Sequence, residues 1–398
     1  WTASEWTIEN NANVSDMTPG YGDQDYIYDG SWTNIGLGDP TPSSTTSTEN
    51  ENIFIRSGNV TFNEDITIGD LVVRSGATLT VASDVVLTVK GDILNDGEII
   101  FESDAGNTAV LGEMGTTSRV VGDGFQIERY VPATSRSFRY LSTSVDTPGT
   151  INDNWQEGAT SASDNPHPTY GTHITGSTTG ANGLDATQTG NKSLFQWNEG
   201  TQAWDAKMST NNSTTDKLVA GDAYGMLIRG DRSASLNSNV DFGPATTLRA
   251  TGVIKTGDIE VGVDVGELAD SETEFSLVGN PYQAQVDLEL LLKNNNTDLS
   301  GQFAYIYDPN ITSNGGYATI DLGTGAADGA STTTPTSGTT ANRFLQPNQA
   351  FFVETTAASP SPSLTFTESI KSTQTTNVDT FSDNNLSTDQ FISINLYD

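Results

Sequence analysis

Cysteine is absent from this chain, which excludes disulfides, thiolate metal centres and a cysteine nucleophile together. Only 17 lysines and arginines stand against 51 acidic residues, for a formal net charge of −34 at pH 7. Basic residues are missing altogether from Trp1 to Asn50, from Tyr140 to Asn191 and from Asn294 to Asn342. Nucleic-acid binding needs a basic footprint, and none can be drawn. An anionic membrane surface would repel the chain for the same reason. No apolar run approaches the ~20 residues of a membrane-spanning helix. Hydrophobic residues make up 34% of the 398, yet 6 Trp, 12 Tyr and 15 Phe are more than a disordered polar chain would carry. The expectation is a folded protein built from thin β layers. The chain opens at Trp1 with neither Met nor an apolar leader, so any export signal is expected to have been removed.

Helix signals are scarce. The one helix predicted spans Val286–Lys293 and is stopped by Asn294, Asn295 and Asn296. Elsewhere short alternating runs are broken by Gly, Asn, Asp, Ser and Thr, the punctuation of strands and turns. Residues 1–50 form an acidic N-terminal arm containing a Ser/Thr-rich stretch near Pro40–Thr48. Its aromatics Trp1, Trp6, Tyr21, Tyr26, Tyr28 and Trp32 have no Lys or Arg beside them, which predicts an arm docked on another subunit or another domain.

Residues 51–116 carry the clearest pattern. Ile53–Ile55, Val60–Phe62, Ile66–Ile68, Leu71–Val73, Leu79–Val81, Val86–Val89 and Ile99–Phe101 recur at short intervals, with Gly58, Gly69, Gly76, Gly91 and Gly97 between them. Short aliphatic strands with Gly, Asn and Asp corners predict a short parallel β-helix-like solenoid whose coils must stack to bury their aliphatic faces; a meander of hairpins is the plainer alternative. Two antiparallel β-sandwich modules are expected to follow, at 117–265 and 266–370. In the first, Phe125–Val131 and Phe138–Ser142 read as a hairpin turning at Pro132–Ser135, ahead of a Gly/Thr/Asn-rich insertion from about Thr147 to Asn191. Residues 371–398 read as a linker and the start of a further domain, because the alternating run Phe391–Tyr397 stops without a turn.

The two sandwich blocks carry a resemblance. Phe275–Tyr282 (FSLVGNPY), Val286–Asp287 opening a short helix, Tyr305–Asn310 (YIYDPN) and Gln349–Val353 (QAFFV) occur in that order. Before them stand Glu128–Pro132, Arg139–Ser142, Ile151–Gly158 and Ile228–Arg232. As an ordered set covering roughly residues 125–370, these segments resemble large secreted Bacteroidota surface proteins exported by the type IX secretion system. Gln283 and Leu288 depart from that pattern, and the family's C-terminal sorting domain is not in this chain. The resemblance implies an extracellular or cell-surface location and contact with the type IX machinery during export. It implies no substrate.

The candidate chemistry is sparse. Asp23, Asp25 and Asp29 sit in one acidic stretch without a nearby cation, and oxygen ligands at short spacing suit calcium, although Ile27 falls where an EF-hand-like loop needs a ligand. The two histidines, His167 and His173, share a Pro-rich loop whose spacing matches no zinc pattern, and they are expected to be exposed. No Gly-x-Ser-x-Gly elbow occurs, and no carboxylate pair stands out. Trp32, Trp155, Trp197 and Trp204 are candidates for a sugar-binding platform, core packing being the ordinary use of Trp in sheets. No catalytic or cofactor-binding residue is therefore expected. The sequence points to a non-enzymatic structural or adhesive component of an extracellular filament, sheath or surface layer, partnered by its own copies or by other surface proteins. The rival reading is a glycan-binding or glycan-degrading surface protein.

Overall fold

The computed structural model describes residues 24–35, 41–44, 51–133, 136–237, 243–311, 315–322, 339–357, 361–378 and 380. The protein is mostly β, 44% strand and 6% helix, with one large curled mixed sheet and several small antiparallel sheets. None of the described helices is long and apolar enough to cross a membrane.

The curled sheet grows from one long strand, Glu51–Phe62, whose two halves face different neighbours. Its first half pairs in parallel with Leu71–Val73, which pairs with Ile93–Asn95, which pairs with Val120–Val121. Its second half pairs in parallel with Ala77–Val81, then Glu98–Phe101, then Phe125–Ile127. A separate parallel line joins Ile66–Ile68, Val86–Val89 and Val110–Leu111. Alternation decides which residues point inward: Ala77, Leu79 and Val81 are buried while Thr78 and Thr80 are half-buried. Ile53, Leu71, Leu79, Leu87, Ile93, Ile99, Leu111 and Phe125 fill one continuous core. At one corner the Asn and Asp side chains form a ladder. Asn52 Oδ1 accepts from Asp70 N (2.8 Å), Asp70 Oδ1 from Asp92 N (2.7 Å) and Asp92 Oδ1 from Arg119 N (2.8 Å). Each short polar side chain thus satisfies a backbone donor of the next layer.

Part of the expected arm belongs to this sheet. Gln24–Asp29 lies parallel to Glu51–Ser57 and antiparallel to Trp32–Ile35. Tyr26 is buried in the core, and Trp32 stacks on Phe62 (centroids 6.4 Å apart, planes at 16°). Tyr26 and Trp32 thus pack within the chain, against residues 51–62, the second of the two docking partners expected of the arm. Trp1, Trp6 and Tyr21 lie outside the described residues, as do most of residues 1–50.

The hairpin expected from Phe125 to Ser142 does not form. Phe125–Val131 pairs antiparallel with Thr246–Gly252 on one edge and parallel with Glu98–Phe101 on the other. With both edges occupied, Ser137–Leu141 joins a different sheet beside Tyr224–Ile228. That four-stranded sheet continues through Leu194–Asn198 to Ala203–Ala206. A second four-stranded sheet runs Phe275–Gly279, Ala350–Glu354, Phe303–Asp308, Gly316–Asp321.

Among the described residues two short α-helices complete the layout. α1, Ile151–Trp155, lies inside the stretch expected to be an insertion loop, and is nucleated by a capping box between Thr150 and Asp153. It buries Ile151 and Trp155 in the first core, joined there by Ile174 and Leu184. α2, Leu288–Asn294, is the predicted helix; Asp287 caps it by accepting from Glu289 N and Leu290 N. Its Leu288, Leu291 and Leu292 pack with Ile306, Leu345 and Phe366 in a second core.

The GNPY signature has a physical reading in this frame. A Cβ on Gly279 would lie 2.6 Å from Gly221 O and would also strike Ser142 Oγ, so only glycine lets these backbones meet. Asn280 Nδ2 donates to Ala284 O (2.8 Å) and Gln346 O (3.0 Å), and its Oδ1 accepts from Tyr282 N (3.0 Å). Gln283, one of the departures from the family pattern, is fully buried: it accepts from Ser144 Oγ (2.8 Å) and donates to Ala109 O (2.9 Å), tying the parallel layers to both later blocks.

Candidate functional site: an aromatic cleft between two sheets

The second four-stranded sheet separates its side chains by type. Along Phe303–Asp308 the pattern FAYIYD sends Ala304 and Ile306 to the aliphatic second core and leaves Phe303, Tyr305 and Tyr307 half-buried on the other face. Phe275, Tyr317, Thr319 and Phe352 lie on or beside that face. The opposite sheet contributes Tyr140, Trp197 and Trp204. The two sheets therefore meet through rings.

Tyr140 is at the centre. It stacks on Tyr307 (4.7 Å, 23°), tilts against Trp204 (5.1 Å) and meets Phe352 edge-on (5.8 Å). Its hydroxyl lies 2.6 Å from Tyr317 Oη. Trp197 stands edge-on to Phe352 (5.0 Å, 82°) and to Trp204 (5.5 Å, 75°). These are the offset and T-shaped geometries that ring quadrupoles favour. Burial first, then the Tyr317 contact, pushes the Tyr140 phenol well up; burial also raises Tyr305, Tyr307 and Tyr317. All four stay protonated across the physiological range.

A turn locks one end of the junction. Trp197 Nε1 donates to Phe275 O (2.9 Å), Gln202 Nε2 donates to the same oxygen (3.0 Å), and Gln202 Oε1 accepts from Phe275 N (2.7 Å). Glu199 Oε1 accepts from Leu277 N (3.3 Å). The backbone of Phe275–Leu277 is thereby covered by side chains of the other sheet. Close backbone approach at Gly279 and thick rings elsewhere leave the facing layers unevenly spaced, and open space remains between them. One cavity of about 560 Å³ is lined by Trp197, Phe275, Tyr305, Tyr317, Thr319 and Phe352, with Gln202 at its side. Another of about 210 Å³ lies against Phe138, Phe195, Trp204 and Tyr307. The larger lining contains neither a carboxylate nor a histidine.

Carboxylates collect next door. A cavity of about 420 Å³ is bordered by Glu199, Asp205, Asp222 and Glu267 and shares Trp197 with the aromatic cleft. Burial, with the charges of Glu267 and Asp222 adding to it against two backbone donors, lifts Glu199 to about 7; burial raises Asp222 as well. Among the described residues no group of three His, Asp or Glu is arranged to hold a metal ion.

Of the residues singled out by sequence, Trp197 and Trp204 reach the cleft, whereas Trp32 packs on Phe62 and Trp155 is buried edge-on to Tyr224. Asp29 accepts from Ser57 Oγ. The backbone from Gln24 is a strand rather than an acidic turn. Asp23 and the side chain of Asp25 lie outside the described residues. His167 is exposed in its loop, as expected. His173 is not: it is 1% exposed, with Nδ1 3.1 Å from Asp185 Oδ2. Arg232 grips both oxygens of Asp185 at 2.9 Å and donates to Ser161 O, Asp164 O and Thr172 O. Burial opposes ionisation of Asp185, but the bonds from His173 and Arg232 outweigh it and hold the carboxyl below its usual range. This knot ties loops 161–173 and 183–185 to 232. No local spacing announces it, because its members come from three separate segments.

The fold and site define a mostly β protein whose distinctive surface is an aromatic cleft between two facing sheets. The chain matches the family described as a domain of unknown function (DUF8693) over residues 182–395, more than half its length, and belongs to that family. Every cleft strand except Ser137–Leu141 falls inside the matched region. No curated protein and no solved structure matches the chain.

Proposed function

We propose that the protein is a non-enzymatic structural or adhesive component of an extracellular filament, sheath or surface layer. In this reading residues 51–116 are a short parallel β-helix, and the facing sheets that follow are β-sandwich layers. The observation that carries the proposal is the open-ended stacking of the parallel layers. The line of strands that starts at Trp32–Ile35 and passes through Gln24–Asp29 and Glu51–Ile55 ends at Val120–Val121. Among the described residues, neither terminal strand has a second pairing partner. Unpaired edges of this kind accept a strand from another chain. A net charge of −34 keeps such a surface from non-specific collapse and delays association until salt or divalent ions screen it. The export route through type IX machinery rests on the sequence resemblance alone.

The test is sedimentation and negative-stain microscopy of the purified chain across rising salt, beside Val121→Lys. Val121 is 52% exposed, so the substitution leaves the core intact while placing a charge on the edge. Ordered oligomers from the native chain, lost in Val121→Lys at an unchanged melting temperature, are expected. A native chain that stays monomeric at every salt concentration overturns the assembly reading.

A further inference from the structure

We propose that the cavity of about 560 Å³ between the two sheets is a binding site for a neutral saccharide chain. Its volume falls within the roughly 300–1,000 Å³ of small-ligand sites. The argument for the ligand class comes from the charge and chemistry of the lining.

Every lining side chain is neutral: Trp197, Phe275 and Phe352, then Tyr305, Tyr317 and Thr319, with Gln202 alongside. A charged ligand of either sign would lose its hydration there without an opposite charge to replace it. Anions are disfavoured twice, because Glu199, Asp205, Asp222 and Glu267 border the adjoining cavity and Glu354 lies close enough to help raise the Tyr305 phenol. A pure hydrocarbon is a poor fit as well, since it would cover the hydroxyls of Tyr305 and Thr319 without giving them a polar partner, whereas Tyr317 already has the Tyr140 hydroxyl. Gln202 is already committed at both ends of its amide, so it shapes the wall rather than serving the ligand.

What remains is a neutral molecule with apolar C–H faces and hydroxylated edges, which is the chemistry of a pyranose ring. Apolar faces lie against the rings of Trp197, Phe275 and Phe352, and hydroxyls meet the phenols and the threonine at the rim. Because the rings come from two different sheets, a sugar entering the cleft is contacted from both sides. The smaller aromatic cavity beside Phe138, Phe195 and Trp204 is also lined by Tyr140 and Tyr307 and offers a second subsite along the same junction. The inference stands on the cleft alone and is independent of whether the chain assembles.

The test follows tryptophan fluorescence and titration calorimetry of the whole chain with cellohexaose, maltohexaose, xylohexaose and chitohexaose. Polygalacturonate and oligolysine serve as charged controls. At least one neutral oligosaccharide is expected to bind saturably, with an affinity nearly independent of salt. Tyr305→Ala, at a half-exposed position, is expected to weaken binding at least tenfold at an unchanged melting temperature, and Tyr305→Phe to weaken it less. Trp197→Ala is expected to remove binding; should that variant unfold, Tyr305→Ala decides alone. The proposal falls if no neutral oligosaccharide binds, if folded Tyr305→Ala binds as the native chain does, or if a charged control binds best with a steep salt dependence. Loss of saccharide binding would not alter the sedimentation result, so this proposal and the assembly proposal fail separately.

Discussion

Glu128 shows how far one buried carboxyl can bias the molecule. It is 8% exposed on Phe125–Val131, with Ser103 N at 3.4 Å and Gln126 Nε2 at 3.5 Å as its donors. Burial first, and the charges of Glu102 and Glu157 after it, push Glu128 from 4.5 to about 7, against the Ser103 amide and Arg249. The folded state therefore holds this proton more tightly than the unfolded chain. Its stabilising contribution is complete below pH 4.5 and is lost as pH rises to about 7. Glu128→Gln keeps a neutral amide at all pH values. Subtracting its urea-unfolding profile from that of the native chain should leave a difference that grows between those limits, with the variant favoured by up to about 3 kcal/mol above pH 7. A difference that is flat with pH would show that Glu128 ionises normally.

At the scale of the element, α2 depends on the residue that caps it. Asp287 accepts from Glu289 N (2.9 Å) and Leu290 N (3.4 Å), and Arg343 Nη2 lies 3.1 Å from its other oxygen. The helix has only seven residues, so propensity cannot hold it and the cap and the buried leucines must. Asp287→Ala should cost about 1–2 kcal/mol in urea unfolding through the cap alone, whereas Asp287→Asn should recover most of the loss. Equal costs for the two would assign the effect to the Arg343 pair instead. The aromatic junction follows a similar logic of local chemistry in a tertiary setting. A Cβ on Gly225 would lie 2.8 Å from the Trp204 ring, so glycine on Tyr224–Ile228 is what lets that ring lie flat against the strand.

For the whole molecule the governing quantity is charge. A net −34 over 398 residues works against compaction, and ion pairs such as Arg119–Asp92 and Lys255–Asp146 are partly exposed and offset little of it. Screening length shrinks from about 30 Å at 0.01 M salt to about 8 Å at physiological strength. Calorimetry at pH 7 should therefore show a melting temperature that rises with sodium chloride, most steeply at the low end. A melting temperature that falls with salt would mean that attractive pairs outweigh the general repulsion.

Much of the local structure was legible in the sequence. Most aliphatic positions of residues 53–101 point into the first core as their alternation requires, while Val72 and Leu94 join Phe54 in a separate small cluster; α2 lies within a residue or two of its predicted place, and Phe275–Gly279, Phe303–Asp308 and Ala350–Glu354 are strands. Even the aromatic face of the cleft is written in FAYIYD, since a period of two sorts side chains by face. Pairing is a different matter. Phe125–Val131 looks as ready to turn back on Ser137–Leu141 as to pair with Thr246–Gly252, more than 100 residues away, and in the folded chain its edges are taken by Thr246–Gly252 and Glu98–Phe101. The same holds for His173, which reads as a loop residue until Asp185 and Arg232 close around it. Local period and turn chemistry are properties of neighbouring residues. Which strands share an edge, which faces meet and what space stays open between them depend on how distant segments compete for the same buried surface, and that was decided only by the tertiary structure.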